Sequence, residues 1–125
     1  MKLRIKGDSV RLRLTRAEVR ELLSAGRVVD ATRFPGGGTL TYELRADAGV
    51  TAIGASFAHD ALQVVAPAAM LTAWGGSEDV SLEAALTAAG GVLAILIEKD
   101  FPCMIDRPLE DDSDAFPRDR LKIDL

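Results

Sequence analysis

The sequence predicts an α+β protein: a mainly antiparallel β-structure of about eight strands with two short helices, closed into a barrel or split into two packed sheets. Three observations predict it. Apolar and polar residues alternate over many short runs, the period of half-buried strands. Gly- and Pro-containing turns separate those runs at hairpin spacing. Two segments, one after Thr15 and one after Pro67, switch to a helical period.

Taken in order, KLRIK and SVRLRL alternate strictly around Gly7-Asp8, which suits a two-residue type II′ turn with Gly at the position needing positive φ. That register sets Leu3 against Leu12 and Ile5 against Val10 on the core face, and Arg4 against Arg11 and Lys2 against Arg13 on the other. Thr15-Arg16-Ala17-Glu18 is a capping box, Val19, Leu22 and Leu23 form the apolar stripe of the helix, and Gly26 is a fitting stop. RVVDATRF and TLTYELRA follow as strands around PGGG, with Leu40, Tyr42 and Leu44 sharing one face. VTAIGASF and ALQVV read as strands about His59-Asp60, Pro67 opens the helix AAMLTAW, and VSLEAAL and GVLAILIEK are strands about TAAGG. The last strand is apolar on both faces, as befits a central or doubly covered strand.

The second half therefore repeats the element order of the first. A slide of 52 residues sets Asp8 on Asp60, Val10 on Leu62, Leu12 on Val64, Thr15 on Pro67, Val19 on Leu71 and Val28 on Val80. Residues 1–99 are read as a single α+β domain, with tandem ββαββ units at 1–48 and 49–99. Duplication and chance alternation of pattern are the two readings of that repeat. Residues 100–125 lose the periodicity, are rich in Asp and Pro, and read as an extended acidic C-terminal arm.

The 125 residues suffice for a core without staples, and at 48% hydrophobic with one Trp and one Tyr that core is aliphatic. A lone cysteine, Cys103, leaves no internal disulfide. The basic start has no apolar run behind it and GVLAILI is too short to span a bilayer, so a cytoplasmic protein without membrane association is expected. Charge is uneven: residues 1–20 hold seven basic and two acidic side chains, whereas the whole chain carries −4.

The basic ladder is the leading candidate site. Lys2, Arg4, Arg11 and Arg13 share a face, and like charges opposite one another destabilise a sheet unless neutralised. The acidic counterpart within the chain is DRPLEDDSD, with Glu110, Asp111, Asp112 and Asp114. An intramolecular clasp between the two is preferred to plain solvation or an external anion, though arginines are well shaped for carboxylate or phosphate. Nucleic acid is disfavoured because the chain is acidic overall and no aromatic interleaves the basic residues. Asp112-Ser113-Asp114 lacks the turn Gly and distal Glu of a calcium loop, and one Cys and one His cannot build a structural zinc site, so no metal or cofactor is expected. Gly54-Ala55-Ser56-Phe57-Ala58 continues a strand pattern instead of forming a nucleophile elbow. Pro35-Gly36-Gly37-Gly38 precedes no helix and is a hairpin connection. His59 and Cys103 form a thiol–imidazole pair only if the fold joins them.

MKLRIKGDSVRLRL and IEKDFPCMIDRPLEDDSDAFP resemble the ends of a family of small, uncharacterised bacterial proteins. The shared features are the Lys/Arg-alternating hairpin, Glu98-Lys99-Asp100-Phe101, Cys103, the run Glu110 to Asp114, and Phe116-Pro117. The chain departs from that pattern at Asp8, where Asn is usual, and at Arg118-Asp119, where Asn-Pro is usual. The resemblance implies a bacterial origin and no particular activity.

Together these features predict a non-catalytic binding module whose basic face meets carboxylates or phosphates, with an acidic protein or a second copy (through Leu121 and Ile123) as partner. The alternative is a small enzyme acting on a phosphorylated or other anionic substrate, with Glu98 or Asp100 as acid or base. Arginines lining a concave cavity would favour chemistry, and arginines on a convex face would favour the module.

Overall fold

A computed structural model describes residues 1–101. The elements are β1 (Lys2–Ile5), β2 (Ser9–Leu14), α1 (Arg16–Ala25), β3 (Arg27–Arg33), β4 (Thr39–Asp47), β5 (Gly54–Ala58), β6 (Ala61–Pro67), α2 (Ala68–Gly75), β7 (Ser81–Ala88) and β8 (Gly91–Lys99). They form two four-stranded sheets, ordered β1-β2-β8-β7 and β3-β4-β6-β5, and no closed barrel. The acidic residues Glu110, Asp111, Asp112 and Asp114, and with them Cys103, lie outside the described residues.

Every hairpin is antiparallel, but β2 runs parallel to β8 and β4 parallel to β6, so both sheets are mixed. The parallel seams have one cause. Each half contributes its first hairpin to one sheet and its second hairpin to the other, the helix between them carrying the chain from sheet to sheet, so each parallel seam joins strands from different halves. The halves are interleaved and share one core.

Local sequence explains the turns and caps. Gly7 takes φ +52° in the two-residue loop closed by Lys6 and Ser9, whose N–H groups donate to each other's carbonyls at 3.2 and 3.1 Å. In the β5–β6 turn His59 and Asp60 both adopt left-handed backbone, and the Asp60 carbonyl accepts the Thr41 N–H at 3.0 Å. Thr15 caps α1 with both reciprocal bonds of the capping box, and Gly26 ends it at φ +82°. Pro67 sits one residue earlier than expected: it ends β6 in an extended conformation and stands at the N-cap of α2. The strand expected over VTAIGASF is shorter, because Ile53 buries its side chain from the connecting bend and pairing begins only at Gly54.

The strand ladders reveal how the two halves correspond. One row crosses Leu3, Leu12, Ile97 and Leu82; its counterpart crosses Ala55, Val64, Leu44 and Val28. The slide of 52 therefore holds from β1 through the helices, where Val19 and Leu22 match the buried Leu71 and Trp74. Val28 corresponds to Leu82, not to Val80, because residues 76–80 make the α2–β7 link longer than the single Gly26 between α1 and β3.

Leu12, Leu14, Leu44, Val64, Ile95 and Ile97 meet Leu22, Leu71 and Trp74 in a single buried cluster drawn from both sheets and both helices. Burying each such side chain contributes about 1.5–3 kcal/mol. The inward residues occupy alternate strand positions, which turns Lys2, Arg4, Arg11, Arg13, Leu96 and Glu98 to the opposite face of the β1-β2-β8-β7 sheet.

Candidate functional site

The ladder forms in the expected register, with Lys2 opposite Arg13 and Arg4 opposite Arg11. The parallel seam then sets Arg11 beside Leu96 and Arg13 beside Glu98. Glu98 is fully buried; its Oε1 accepts from Arg13 Nε and lies 3.8 Å from Arg11 Nη1. Lys2 reaches Asp100 Oδ2 at 2.9 Å, and the Asp100 N–H donates to the Leu14 carbonyl at 2.8 Å. Sequence reasoning singled out Glu98 only as an acid or base for the enzyme alternative. Its signal as the ladder's counter-ion is the single carboxylate in the apolar run GVLAILIEK.

Exposure divides the four cations. Lys2 and Arg4 are exposed, Arg13 is half-buried and Arg11 is 9% exposed. The outer surface of β8 is graded as well. Val92 is 57% exposed, Ala94 is half-buried, Leu96 is 3% exposed and Glu98 is closed off. In the other sheet the matching row contains Val29, Glu43, Gln63 and Ser56, and Val29 is 42% exposed. There Glu43 accepts from Gln63 Nε2 at 2.7 Å and pairs with Arg27 Nε at 2.8 Å. Both sheets thus carry a clamped glutamate on their parallel seam, one beneath arginines and one beside an amide.

A second charged cluster ties the chain start to α1. The Met1 ammonium bridges Glu18 and Asp30, the latter at 3.1 Å, while the Met1 side chain enters the core. Burial works against the charged amine, but the hydrogen bonds to Glu18 and Asp30 outweigh it and raise its pKa above the ordinary 8.0. Burial pushes Glu18 up, yet the Met1 ammonium and the Thr15 N–H together hold it below its ordinary value. Asp30 is lowered by the hydrogen bond from Met1 and then by the Ala31 N–H. Burial raises Tyr42, and the nearby Asp30 carboxylate adds to it.

Two clefts flank the core. One, of about 270 Å³, opens between the sheets at the hairpin end and is lined by Leu3, Ile5, Val10, Leu62, Phe57 and Leu93 among others. The second, of about 650 Å³, lies beside α1, where Arg16, Arg20, Lys99, Glu78 and Asp100 surround Leu14, Val19 and Leu23. Neither is lined by Lys2, Arg4, Arg11 or Arg13. Among the described residues no cluster of three or more His, Cys, Asp or Glu is placed to hold a metal ion. His59 is exposed in its turn, and no helix among these residues is long and apolar enough to cross a membrane.

Fold and face define a class: a two-sheet α+β protein with interleaved halves and a cationic outer face built round a buried glutamate. The chain belongs to DUF7009, a family of unknown function, whose family model matches residues 1–120. No curated protein and no solved structure matches it.

Proposed function

We propose that the protein is a non-catalytic binding module of the bacterial cytoplasm whose outer cationic face receives carboxylate or phosphate groups. One observation carries the reading: Lys2, Arg4, Arg11 and Arg13 share a face turned away from the core, with a carboxylate already seated among them. A guanidinium pair that encloses Glu98 is preorganised for a further anion at its exposed rim, since arginine holds oxygen pairs in a fixed fork. The acid run Glu110, Asp111, Asp112 and Asp114 is the counterpart within the chain, and an acidic protein segment, from a partner or a second copy, is the counterpart outside it.

Polyglutamate and inorganic phosphate, titrated into the full-length protein at low salt, test this. The Arg4, Arg11 and Arg13 side-chain NMR signals should shift saturably, and Lys2→Gln with Arg4→Gln should weaken the response without unfolding the protein. An absence of saturable binding by both probes would overturn the reading.

A further inference from the structure

The two sheets end on the strands β1, β7, β3 and β5, and three of these edges carry charge: Lys2 and Arg4 on β1, Arg27, Asp30 and Arg33 on β3, and Glu83 on β7. Charged side chains are one means by which an edge avoids pairing with another chain. β5, Gly54-Ala55-Ser56-Phe57-Ala58, has none, and among the described residues it pairs with β6 alone. It also holds Phe57, at 64% the most exposed large hydrophobic side chain among those residues.

The β5–β6 turn fixes which backbone groups of β5 point outward. Ala58 and Ala61 close the two-residue turn at His59-Asp60, so they exchange both backbone bonds, as Lys6 and Ser9 do in the first hairpin. Bonded and non-bonded pairs alternate along an antiparallel ladder. Gly54 and Ser56 therefore also bond to β6, while Ala55 and Phe57 turn their N–H and C=O groups to the open edge.

We propose that β5 is a dimerisation strand, which pairs antiparallel with β5 of a second copy about a two-fold axis at Ser56 and joins the two β3-β4-β6-β5 sheets into one. In that register Ala55 lies opposite the partner's Phe57, and Phe57 opposite the partner's Ala55. These are the residues whose backbone groups point outward, so both pairs exchange their bonds. The two Phe57 rings are diagonal neighbours on the inner face, within reach of each other. The two Ser56 side chains meet at the axis on the outer face. That centre is what selects a second copy as the occupant. The slide of 52 sets Ser56 on Arg4 of β1, where the same self-pairing would oppose two arginines. At β5 it opposes two hydroxyls, which can bond to each other. Strands of five residues bury little area, so the dimer is a weak, reversible one. The inference goes beyond the binding reading and does not depend on it.

Sedimentation velocity of the full chain from about 1 μM to about 1 mM tests the proposal. The expected result is a monomer–dimer equilibrium within that range. Ser56 is exposed, and Ser56→Lys sets like charges against each other at the axis, which should weaken association at least about tenfold. Ser56→Glu should do the same, and an equimolar mixture of the two variants should dimerise at least as tightly as the parent. That recovery distinguishes a lost contact from a lost fold. With Cys103→Ser, Ser56→Cys should form an intermolecular disulfide under air oxidation. Non-bonded antiparallel pairs stand about 4.5 Å apart at Cα, within the ~4.4–6.8 Å that a disulfide spans. A parent chain that is monomeric at every concentration would overturn the inference. So would association unchanged by Ser56→Lys, or charge variants that stay apart when mixed.

Discussion

Arg13 and Glu98 lie directly opposite each other on neighbouring parallel strands, one from each half of the molecule, and the guanidinium Nε donates to the carboxylate. Glu98 has no exposure to water, so its charge depends on Arg13 and Arg11 for compensation.

Removing Glu98 should therefore cost more than removing an ordinary surface acid. Glu98→Ala takes the buried carboxylate away from Arg13 and Arg11, and breaking one side of a buried pair costs about 3–5 kcal/mol. Pairing Glu98→Met with Arg13→Met should recover most of that loss, since well-packed apolar replacements of a buried ion pair are often near neutral. Chemical denaturation of the two variants separates these outcomes. Equal destabilisation by both would show that geometry, not charge, is at stake.

Stability should decline at both ends of the pH range through the Met1 cluster. Glu18 and Asp30 have folded pKa values below their ordinary 4.5 and 3.8, so their contribution is present above those values and is lost as pH falls through the lowered ones. The Met1 amine is raised above 8.0, so its contribution is complete below that and is lost as pH rises through the raised value. Glu18→Gln, which can still close the capping box, should flatten both limbs. Thr15→Ala should instead cost about 1 kcal/mol at every pH. Thermal unfolding across pH 3–10 (a window of roughly these groups' titrations) reads the difference.

Gly75, the last residue of α2, packs against α1. A Cβ there would stand 2.8 Å from Leu23 Cδ1 and 3.3 Å from Val19 Cγ1. Leu23 is 42% exposed and can swing aside, whereas Val19 is buried. Gly75→Ala should thus be nearly neutral, the helix propensity gain of about 1 kcal/mol offsetting the push on Val19. Gly75→Val should destabilise by about 1–3 kcal/mol, as overpacking does. Denaturant midpoints for the pair decide it.

Along β8, Leu96→Ala should cost about 2–5 kcal/mol, as truncation at a closed site does, while Val92→Ala should stay within about 0.5 kcal/mol. Both side chains point the same way from one strand, so a similar cost for the two would contradict the grading of their exposure.

Much of this was legible in the residues. Alternation in KLRIK and SVRLRL gave the register that opposes Arg4 to Arg11, and the capping box gave the start of α1, because these signals are local. The parallel seams were not legible, since nothing in β2 or β8 announces its neighbour from another part of the chain. That gap also hid the role of Glu98. Opposite Arg13 it is a counter-ion, but on its own strand it is only an acid among aliphatic residues. The Met1–Glu18–Asp30 cluster was missed for the same reason: Glu18 is fully accounted for by the helix cap until β3 brings Asp30 alongside.

The interleaving of the halves has a consequence for how the chain tolerates change. Each sheet is a joint product, so a substitution on β2 is felt by β8, about eighty residues later in sequence, and neither half has a sheet to call its own. Severing the backbone within residues 48–53 should leave fragments 1–48 and 49–125 unfolded apart and reassembled as an equimolar pair when mixed, as circular dichroism of the separate and combined peptides would record. Two such units behave less like beads on a string than like clasped hands: evolution can alter the grip, but only with both at once.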